Sequence, residues 1–369
     1  MSDKIISLAP ARTCLFGDHQ DYLELPIIAC AINRYIKLVA TKNHSNVFQI
    51  SKPDINEETT ISIDAGTGEI ELGDHFLSAL KVVQKYGCIP TEGYDITISG
   101  NIAINAGTSS SSAVIIAWIK FLLEAYGCNQ KVTPLLISDI AYQAEVVEQK
   151  ASGGKMDQYS IALGNIIYLE TDEKSYYETI NKPIEGLIVG ESGIPKETLS
   201  LLKELKEKTW LSVFKIKEKV KNFTLKDAKI EDLNIYLNYL PTDLQPYLYA
   251  AISNYDVTKR ALNEFRKPSL NLPKIGALIN EHHTILRDSL QITVPRIDDM
   301  IDAANKAGAY GSKIVGSGKG GSIVVLSPKE KEQQVVNAII EAGGVNSYPV
   351  SVDSGARIID KSMEKTIQF

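Results

Sequence analysis

The N-terminal part of the chain contains short runs of apolar residues that predict β-strands. In "YDITISGNIAI", residues 94–104, apolar and polar positions alternate, as they do in a strand with one buried face. "KIISLAPAR" and "NRYIKLVATK", nearer the N-terminus, are β-rich, and "NIIYLET", from residue 165, predicts a further strand. The first part of the protein is therefore expected to contain a sheet.

A buried helix is predicted directly after a run of four serines, Ser109 to Ser112. The apolar positions that follow surround almost the whole helical wheel; they are Val114, Ile115, Ile116, Ala117, Trp118, Ile119, Phe121, Leu122 and Leu123. A helix that is apolar on nearly every side is enclosed by protein. The serine run therefore begins a buried helix and is not a flexible linker.

The remainder of the chain mixes helices and strands. "PLLISDIAYQAEVVEQKA", residues 134–151, predicts a second helix that leads into a glycine-marked loop, "SGGKMDQYS". Beyond residue 182 the pattern predicts a strand, a turn and a long helix, then more helices to about residue 302 and the strand-rich "KIVGSGKGGSIVVLS". We expect a mixed fold with a domain boundary near residue 180, which divides residues 1–180 from residues 181–369.

Composition narrows the class of protein. A chain of 369 residues exceeds what one core usually organises, so two domains are expected. The net charge of -6 provides no general basic field for nucleic acid, and the four widely spaced cysteines form no CxxC pair. Neither a membrane span nor a cleavable leader is visible in the sequence. We therefore expect a soluble, cytoplasmic protein with neither nucleic acid nor membrane as a partner.

The serine run has the features of an anion site, because a strand, a small-residue loop and a helix start follow one another. Free amides and a dipole charge of roughly +0.5 favour phosphate there by about 0.3 to 1 kcal/mol. Tight nucleotide binding would also need Mg²⁺, for which the serines and Glu145 offer hard oxygen ligands. Alternatively, one serine only caps the helix. "NAGTSSSSA" lacks the lysine of a Walker A loop, which disfavours the P-loop class.

Two other segments carry candidate chemistry. Arg12, Asp18, His19 and Asp21 crowd one loop near the N-terminus and suggest a polar pocket. Near the C-terminus, the six residues from Gly316 to Gly321 include four glycines. Taken alone, such a loop is weak evidence for a binding site and more often forms a tight hairpin.

The order of the three segments resembles that in the GHMP small-molecule kinases, the family of galactokinase, homoserine kinase, mevalonate kinase and phosphomevalonate kinase. The matching motifs are "APARTCLFGDHQDY", "INAGTSSSSA" and "VGSGKGGS". "GDHQDY", "ASGGKMDQYSIALG" and "NEHHTILRDSLQITVPRIDDM" are most similar to the galactokinase branch, whereas "GESGIPKETLSLLKELKEKTWLS" departs from it. The resemblance implies a two-domain α+β architecture with the active site in the interdomain cleft.

The resemblance also implies roles for individual residues. Asp157 corresponds to the catalytic carboxylate and Arg12 to its cationic partner. Ser111 and Glu145 correspond to the Mg²⁺ ligands, with Glu148 as a competing acid. Substrate binding falls to Asp18, His19, Asp21 and Gly154. The nucleotide phosphates would bind at Gly107, Thr108, Ser109, Ser110, Ser111 and Ser112, with the loop Gly316 to Gly321 closing against them.

The function implied is that of an ATP-dependent, Mg²⁺-requiring kinase acting on the anomeric hydroxyl of a monosaccharide, as in galactokinase or a near relative. We expect the sugar and ATP to be its partners and the protein to be a monomer or a homodimer. A mevalonate-type kinase is the alternative enzyme. A non-catalytic sensor of sugar and nucleotide is the alternative class, which the presence of both Asp157 and Arg12 disfavours.

Overall fold

The computed structural model describes residues 4–65, 68, 70–196 and 199–360. The strands in these ranges are β1 (Lys4–Phe16), β2 (Ile27–Lys42), β3 (Val47–Lys52), β4 (Glu57–Ser62), β5 (Tyr94–Gly100), β6 (Ile166–Leu169), β7 (Tyr177–Ile180), β8 (Leu187–Glu191), β9 (Gly311–Val315), β10 (Ser322–Leu326), β11 (Asn346–Val350) and β12 (Arg357–Ile358). The α-helices are α1 (His75–Lys85), α2 (Ser110–Tyr126), α3 (Pro134–Tyr142), α4 (Met156–Leu163), α5 (Leu199–Lys217), α6 (Leu233–Leu237), α7 (Gln245–Phe265), α8 (Leu272–Asp288), α9 (Pro295–Lys306) and α10 (Glu332–Glu341).

The N-terminal strands build one large sheet. Its main path runs in the order β12, β1, β2, β5, β3, β4, and β6 pairs with β2 and β7. All neighbours are antiparallel except β3 and β5, which run parallel. The alternating apolar residues of β5, Tyr94, Ile96 and Ile98, are buried, as the sequence predicts.

Helix α2 crosses the inner face of this sheet as the predicted buried helix. Its Trp118 is fully buried, and the Trp118 ring meets the rings of Phe48 and Phe76 edge to face. The helix starts at Ser110, so the serine run forms its first turn. Within the described residues, none of the helices is both long enough and apolar enough to cross a membrane.

The second predicted helix is shorter than the sequence suggests. α3 ends at Tyr142, and the chain continues as a π-helical turn, Gln143–Val147, before it leaves the helical path. The apolar positions continue through this turn, with Ala144 and Val146 buried, and this hides the change of helix type from a sequence pattern. Single π-turns often accompany functional sites because they change the direction of one side chain.

A second sheet, in the order β11, β8, β10, β9, carries the C-terminal part, so the fold is α+β. The chain changes sheets between Ile180 and Leu187, and β12 returns to pair with β1. Val324 of the second sheet belongs to the same buried cluster as Leu38 of the first. The division into domains at residue 180 stays a prediction; residues 1–3, 66–67, 69, 197–198 and 361–369 of the predicted domains lie outside the described residues.

Candidate active site

The serine loop ends in a residue of unusual backbone conformation. Ser109 precedes the first helical residue of α2 with φ at 62°, and its side chain does not cap the helix. The Ser109 hydroxyl instead donates a hydrogen bond of 2.5 Å to Oδ2 of Asp157. The alternative interpretation, in which a serine at this position only caps the helix, is therefore wrong for Ser109. A left-handed conformation at a non-glycine residue is a local cost that often marks a functional site.

Arg12 and Asp157 form a buried ion pair on the floor of the site. Nε of Arg12, on β1, donates to Oδ1 of Asp157, in the first turn of α4, at 2.8 Å, and Nη2 lies 2.7 Å from the same oxygen. Nη1 donates to the carbonyl oxygen of Gly107. Burial opposes ionisation of Asp157, but Arg12 and Ser109 outweigh burial and hold the pKa of Asp157 below its usual value. The Asp157 carboxylate is thus a charged base at neutral pH.

The serine loop packs directly against the glycine loop, Gly316 to Gly321. A Cβ added at Gly107, where φ is 88°, would lie 2.6 Å from the carbonyl oxygen of Val315. The hydroxyl of Ser322 donates to the carbonyl oxygen of Ala106 at 2.5 Å. Only glycine allows this approach with this backbone conformation. The structure therefore brings the second and third sequence motifs together.

Glu145 lies on the π-helical turn and faces the start of α2. Its Oε1 accepts a hydrogen bond from the hydroxyl of Ser112 at 2.9 Å, and its Oε2 accepts one from Nε2 of Gln158 at 2.6 Å. Burial and the nearby Asp157 raise the pKa of Glu145 to about 7. The hydroxyl that contacts Glu145 is thus that of Ser112, while Ser111 is exposed and lines the same cavity as Glu145.

The competing acid, Glu148, points away from the site. Its carboxylate pairs with Lys81 at 3.0 Å and with Lys85 at 2.5 Å. Hydrogen bonds from these two lysines lower the pKa of Glu148. The sequence alone does not decide between Glu145 and Glu148. In the structure Glu145 lines the cavity, whereas Glu148 pairs with lysines away from it.

The loop after β1, which is the predicted substrate loop, contains Asp18 and His19, both buried. Asp18 Oδ2 pairs with the ammonium group of Lys313 at 2.5 Å, and Oδ1 accepts from the backbone amide of Gly316 at 3.3 Å. Burial opposes ionisation of Asp18, but Lys313 keeps its pKa below the usual value. His19 Nδ1 lies 3.0 Å from the hydroxyl of Tyr22, and burial lowers the pKa of His19 to about 4. His19 is therefore neutral at pH 7.

Asp21 fits against a glycine of the opposite loop. A Cβ at Gly154 would lie 2.3 Å from the carboxyl carbon of Asp21, so only glycine fits at this position. Oδ2 of Asp21 accepts from the backbone amide of Met156 at 3.3 Å. Burial and the charge on Asp157 raise the pKa of Asp21 to about 6. Two loops that are distant in sequence are thus held in contact beside the ion pair of Arg12 and Asp157.

These residues surround a cavity of about 250 Å³. Eight of the predicted site residues line it: Arg12, Asp18, His19, Asp21, Ser111, Glu145, Gly154 and Asp157. The predicted phosphate-binding residues Gly107, Thr108, Ser109 and Ser112 are buried beside it, and Ser110 faces a neighbouring cavity. The predicted site residues therefore lie together in the fold, although they are spread over residues 12–157 of the chain.

The neighbouring cavity, of about 590 Å³, is larger and mostly apolar. Ile55, Phe76, Ile102, Ile104, Val114 and Ile115 contribute its apolar lining. Ser111 and His75 line both cavities, so the two spaces meet at the start of α2. The larger cavity thus offers space for an apolar group beside the start of α2.

Sequence reasoning missed two cations of the site. Lys313 pairs with Asp18, and Lys196 lines the polar cavity beside Asp157. The only sequence signal for Lys196 is that it lies in the stretch that departs from the galactokinase pattern. Lys313 precedes the glycine loop by three residues and was hidden within a strand of β-rich composition.

Models of known families match both parts of the chain. The GHMP kinases N-terminal domain matches residues 74–165, the GHMP kinases C-terminal domain matches residues 259–345, and the galactokinase galactose-binding signature matches residues 2–42. The chain belongs to the GHMP kinase family. Members of this family are ATP-dependent phosphotransferases, and the fold of the present chain is the GHMP kinase fold.

Individual relatives include two kinds of kinase. A mevalonate kinase of Thermococcus gammatolerans is 26% identical over 364 residues, which cover 96% of this chain and 98% of that protein. A galactokinase of Haemophilus influenzae is 28% identical over 381 residues, which cover 96% and 95%. Sequence identity therefore does not show whether this chain is more similar in substrate to the galactokinases or to the mevalonate kinases.

Solved structures show the same shared fold. Lactococcus lactis galactokinase complexed with galactose matches with a TM-score of 0.84 at 20% identity and covers 96% of this chain and 95% of its own. Methanococcus jannaschii mevalonate kinase matches with a TM-score of 0.70 at 21% identity and covers 94% and 98%. At such identities the likeness concerns the fold alone.

Proposed function

We propose that the protein is an ATP-dependent sugar kinase that phosphorylates the anomeric hydroxyl of a monosaccharide. The observation that carries this proposal is the arrangement of the polar cavity. Asp157, ionised by Arg12 and Ser109, lies on its floor, and the hydrogen-bonding groups of His19 and Asp21 line its wall. Such a site has a base for one hydroxyl and polar partners for the others.

The chemistry follows from this arrangement. Asp157 accepts the proton of the attacking hydroxyl, while the ion pair with Arg12 holds the carboxylate in its charged form and in one orientation. The anomeric hydroxyl is the most acidic hydroxyl of a free sugar, which suits a carboxylate base. Proton transfer of this kind contributes about 10²- to 10⁴-fold, and positioning and charge neutralisation contribute the remaining acceleration.

ATP is assigned to the space around the start of α2. The first helical amides, from Ser110 to Ser112, have no partner within the helix, and Ser110 and Ser111 line the larger cavity, so phosphates would bind favourably at this helix start. The apolar cavity beyond them suits a nucleobase. The α- to γ-phosphates would then lead from the base to Asp157.

The donor set also fits Mg²⁺. The Ser111 hydroxyl and the Glu145 carboxylate line one cavity, and hard oxygen ligands of this type suit Mg²⁺. Among the described residues, no three His, Cys, Asp or Glu side chains are placed to hold a metal ion by themselves, so nucleotide phosphates would share its coordination. When bound, Mg²⁺ would offset charge on the phosphates. Ser112 and Gln158 orient Glu145 for this role.

The charges of the acceptor wall favour a neutral polyol over an organic acid. Asp21 contributes a carboxyl group to this wall, the cation of Lys313 is already paired with Asp18, and the charge of Lys196, in the same cavity, acts on Asp157 and Glu145. A substrate carboxylate beside Asp21 would meet a like charge. A sugar hydroxyl would instead donate to it, and leaving such an acceptor unpaired is costly. The galactose-binding signature over residues 2–42 supports the same choice.

A mevalonate-type kinase is the second candidate. The near-complete coverage of mevalonate kinases at 26% identity supports it. The purified protein with Mg·ATP and a panel of neutral hexoses, uronic acids and mevalonate, followed by ADP release, decides between the two. We expect turnover with a neutral hexose. Turnover with mevalonate alone would select the second candidate.

The sensor alternative is tested with Asp157→Asn. We expect this variant to lose about 10²- to 10⁴-fold in kcat and to keep its affinity for ADP, because the carboxamide cannot accept the proton but leaves the nucleotide cavity intact. Unchanged turnover would remove Asp157 from its proposed role. A wild-type protein that binds sugar and ATP without any ADP release would be a sensor.

A further inference from the structure

Lys196 lies where the serine loop and the glycine loop meet, and its backbone is fixed to this junction. Its amide donates to the carbonyl oxygen of Asn105 at 3.2 Å. Two residues earlier, the carbonyl oxygen of Ile194 accepts from the amide of Gly321 at 2.8 Å. A Cβ at Gly320 would lie 2.6 Å from that same carbonyl oxygen, so the glycine loop packs tightly here. The position of Lys196 is therefore set by both loops.

The side chain of Lys196 faces the polar cavity that Asp157 and Glu145 also line. Among the residues that the structure describes, no hydrogen bond or ion pair engages its ammonium group, although its charge is felt by both carboxylates. Burial lowers the pKa of Lys196; Asp157 and Glu145 act against this effect, and Arg12 adds to it. The positive charge of Lys196 is thus only partly compensated, and an anion in the cavity would stabilise it.

Arg12 is placed differently, although it lines the same cavity. Three of its nitrogens already donate, two to Asp157 and one to the carbonyl oxygen of Gly107, and its side chain is only 3% exposed. Arg12 therefore serves chiefly to hold the base. Of the two cations on this side of the cavity, Lys196 is the one with donors available for a ligand.

We propose that Lys196 is a catalytic residue that binds the phosphoryl group while this group moves from ATP to the acceptor hydroxyl; the proposal rests on the proposed kinase function. In this step the bond between the terminal phosphorus and the bridging oxygen breaks, and ADP leaves with the electron pair. A bond forms between phosphorus and the acceptor oxygen, whose proton passes to Asp157. The ammonium group of Lys196 donates to the non-bridging oxygens, where it offsets negative charge throughout the transfer.

The first experiment compares Lys196→Met and Lys196→Arg with Lys203→Met. Lys203 is a matched control, because it lies seven residues further along, its side chain is 67% exposed, and its ammonium group pairs with Glu207 at 4.0 Å. We expect Lys196→Met to lower kcat about 10²- to 10³-fold with little change in the KM of the acceptor. Lys196→Arg should recover part of this loss, and Lys203→Met should have wild-type kinetics.

The second experiment measures nucleotide binding by calorimetry in the absence of acceptor. Wild-type protein should bind a non-hydrolysable ATP analogue more tightly than ADP, and Lys196→Met should lose about tenfold of this preference. The binding measurement does not depend on the acceptor, so it tests the role of Lys196 even if the proposed function is wrong. Failure of the proposed function would appear separately, as a wild-type protein that turns over no acceptor.

Three outcomes would overturn the proposal. The first is a Lys196→Met variant with unchanged kcat and an unchanged preference for the ATP analogue. The second is an increase confined to the KM of the acceptor, which would assign Lys196 to an anionic group of the substrate instead. The third is an equal loss of activity in Lys203→Met. That result would mean that the loss follows from the removal of any positive charge in this region, and not from the position of Lys196 in the cavity.

Discussion

Neighbouring carboxyl groups of the cavity are held in different protonation states by their surroundings. Arg12 and Ser109 keep Asp157 ionised despite its burial. Asp21, in the same cavity, lies next to that charge, and its pKa is raised to about 6 by burial and by Asp157. Carboxyl groups with divergent pKa values are typical of acid–base sites. Asp21 therefore bears a charge at neutral pH that the surrounding protein stabilises poorly, until a donor such as a sugar hydroxyl binds.

The raised pKa of Asp21 predicts that the stability of the protein depends on pH. The pKa of Asp21 is about 6 in the folded protein and 3.8 in the reference state, so the folded state binds the proton more tightly. The free energy of unfolding should therefore fall as pH rises from about 4 to about 6, by at most about 3 kcal/mol from this group. Denaturant unfolding between pH 4 and pH 7 measures the effect.

The matched variant is Asp21→Asn, which cannot ionise. Its amide group disturbs the hydrogen bond from Met156 at every pH, so the informative quantity is the difference in slope and not the absolute stability. In this variant the free energy of unfolding should fall less between about pH 4 and pH 6 than in the wild type, because Asp21 no longer contributes. Parallel stability curves for wild type and Asp21→Asn would show that the raised pKa is absent.

At the scale of elements, the first turn of α2 joins the functions of the site. The hydroxyl of Ser109 donates to the carboxylate of Asp157, the proposed base, and that of Ser112 donates to Glu145 on the π-helical turn. Ser111, between them, is exposed to the cavity. The left-handed conformation of Ser109 directs its side chain away from the helix axis and towards α4. One short run of serines thus positions both carboxylates relative to the helix amides.

The loop before α4 offers a sharp test of the acceptor site. In Gly154→Ala the new methyl group would lie 2.3 Å from the Asp21 carboxyl carbon and would displace that side chain. We expect the KM of the proposed sugar acceptor to rise about tenfold or more, with the KM of ATP unchanged, because only the proposed acceptor wall moves.

Gly153→Ala is the control for this variant. The methyl group there would meet Val146 at 3.9 Å, an ordinary contact, although the change to the chain is the same and the site is one residue away. Steady-state kinetics for both substrates distinguish the two variants. Equal effects of the two substitutions would mean that loop stiffness, and not the position of Asp21, controls acceptor binding.

Local patterns explain why some elements and not others were predictable. β5 and α2 follow from their apolar periodicity, and the three loops follow from short motifs of glycine, serine and charged residues. The change from α3 to a π-helical turn leaves no mark in the apolar pattern. The pairing of Asp18 with Lys313, and the position of Lys196 in the cavity, depend on which distant strands meet. A single sequence does not show which distant segments are in contact in the folded protein.

At the scale of the whole molecule, the two sheets are joined by one core and by a buried ion pair. Val324 of β10 and Leu38 of β2 belong to the same apolar cluster. Asp18, after β1, and Lys313, on β9, connect the substrate loop to the strand that leads into the glycine loop, and both are almost fully buried. The acceptor and phosphate sides of the cavity are therefore held in register by a contact within the protein interior.

Breaking this pair by removing its cation should cost far more stability than breaking an exposed pair that also links the two parts of the chain. Lys313→Met leaves the Asp18 carboxylate buried without its cation, and we expect a loss of about 3 to 5 kcal/mol in the free energy of unfolding. The control is Arg266→Met, which breaks the pair between Arg266 and Glu178 at 2.6 Å, whose side chains are 48% and 31% exposed. Its cost should be about 1 kcal/mol or less.

Replacing both members of the buried pair distinguishes two causes of the destabilisation: the loss of the attraction between the two charges, and the cost of a charge that is left buried without a partner. In the double variant Asp18→Asn with Lys313→Met no charge is left uncompensated, so we expect it to recover at least about 2 kcal/mol of the loss in Lys313→Met. Denaturant unfolding at pH 7 measures all four proteins, and the double variant keeps the test possible if Lys313→Met does not fold. A double variant as unstable as Lys313→Met would mean that the lysine stem and its hydrogen bonds to Cys14 and Ile314, rather than its charge, hold the two parts together.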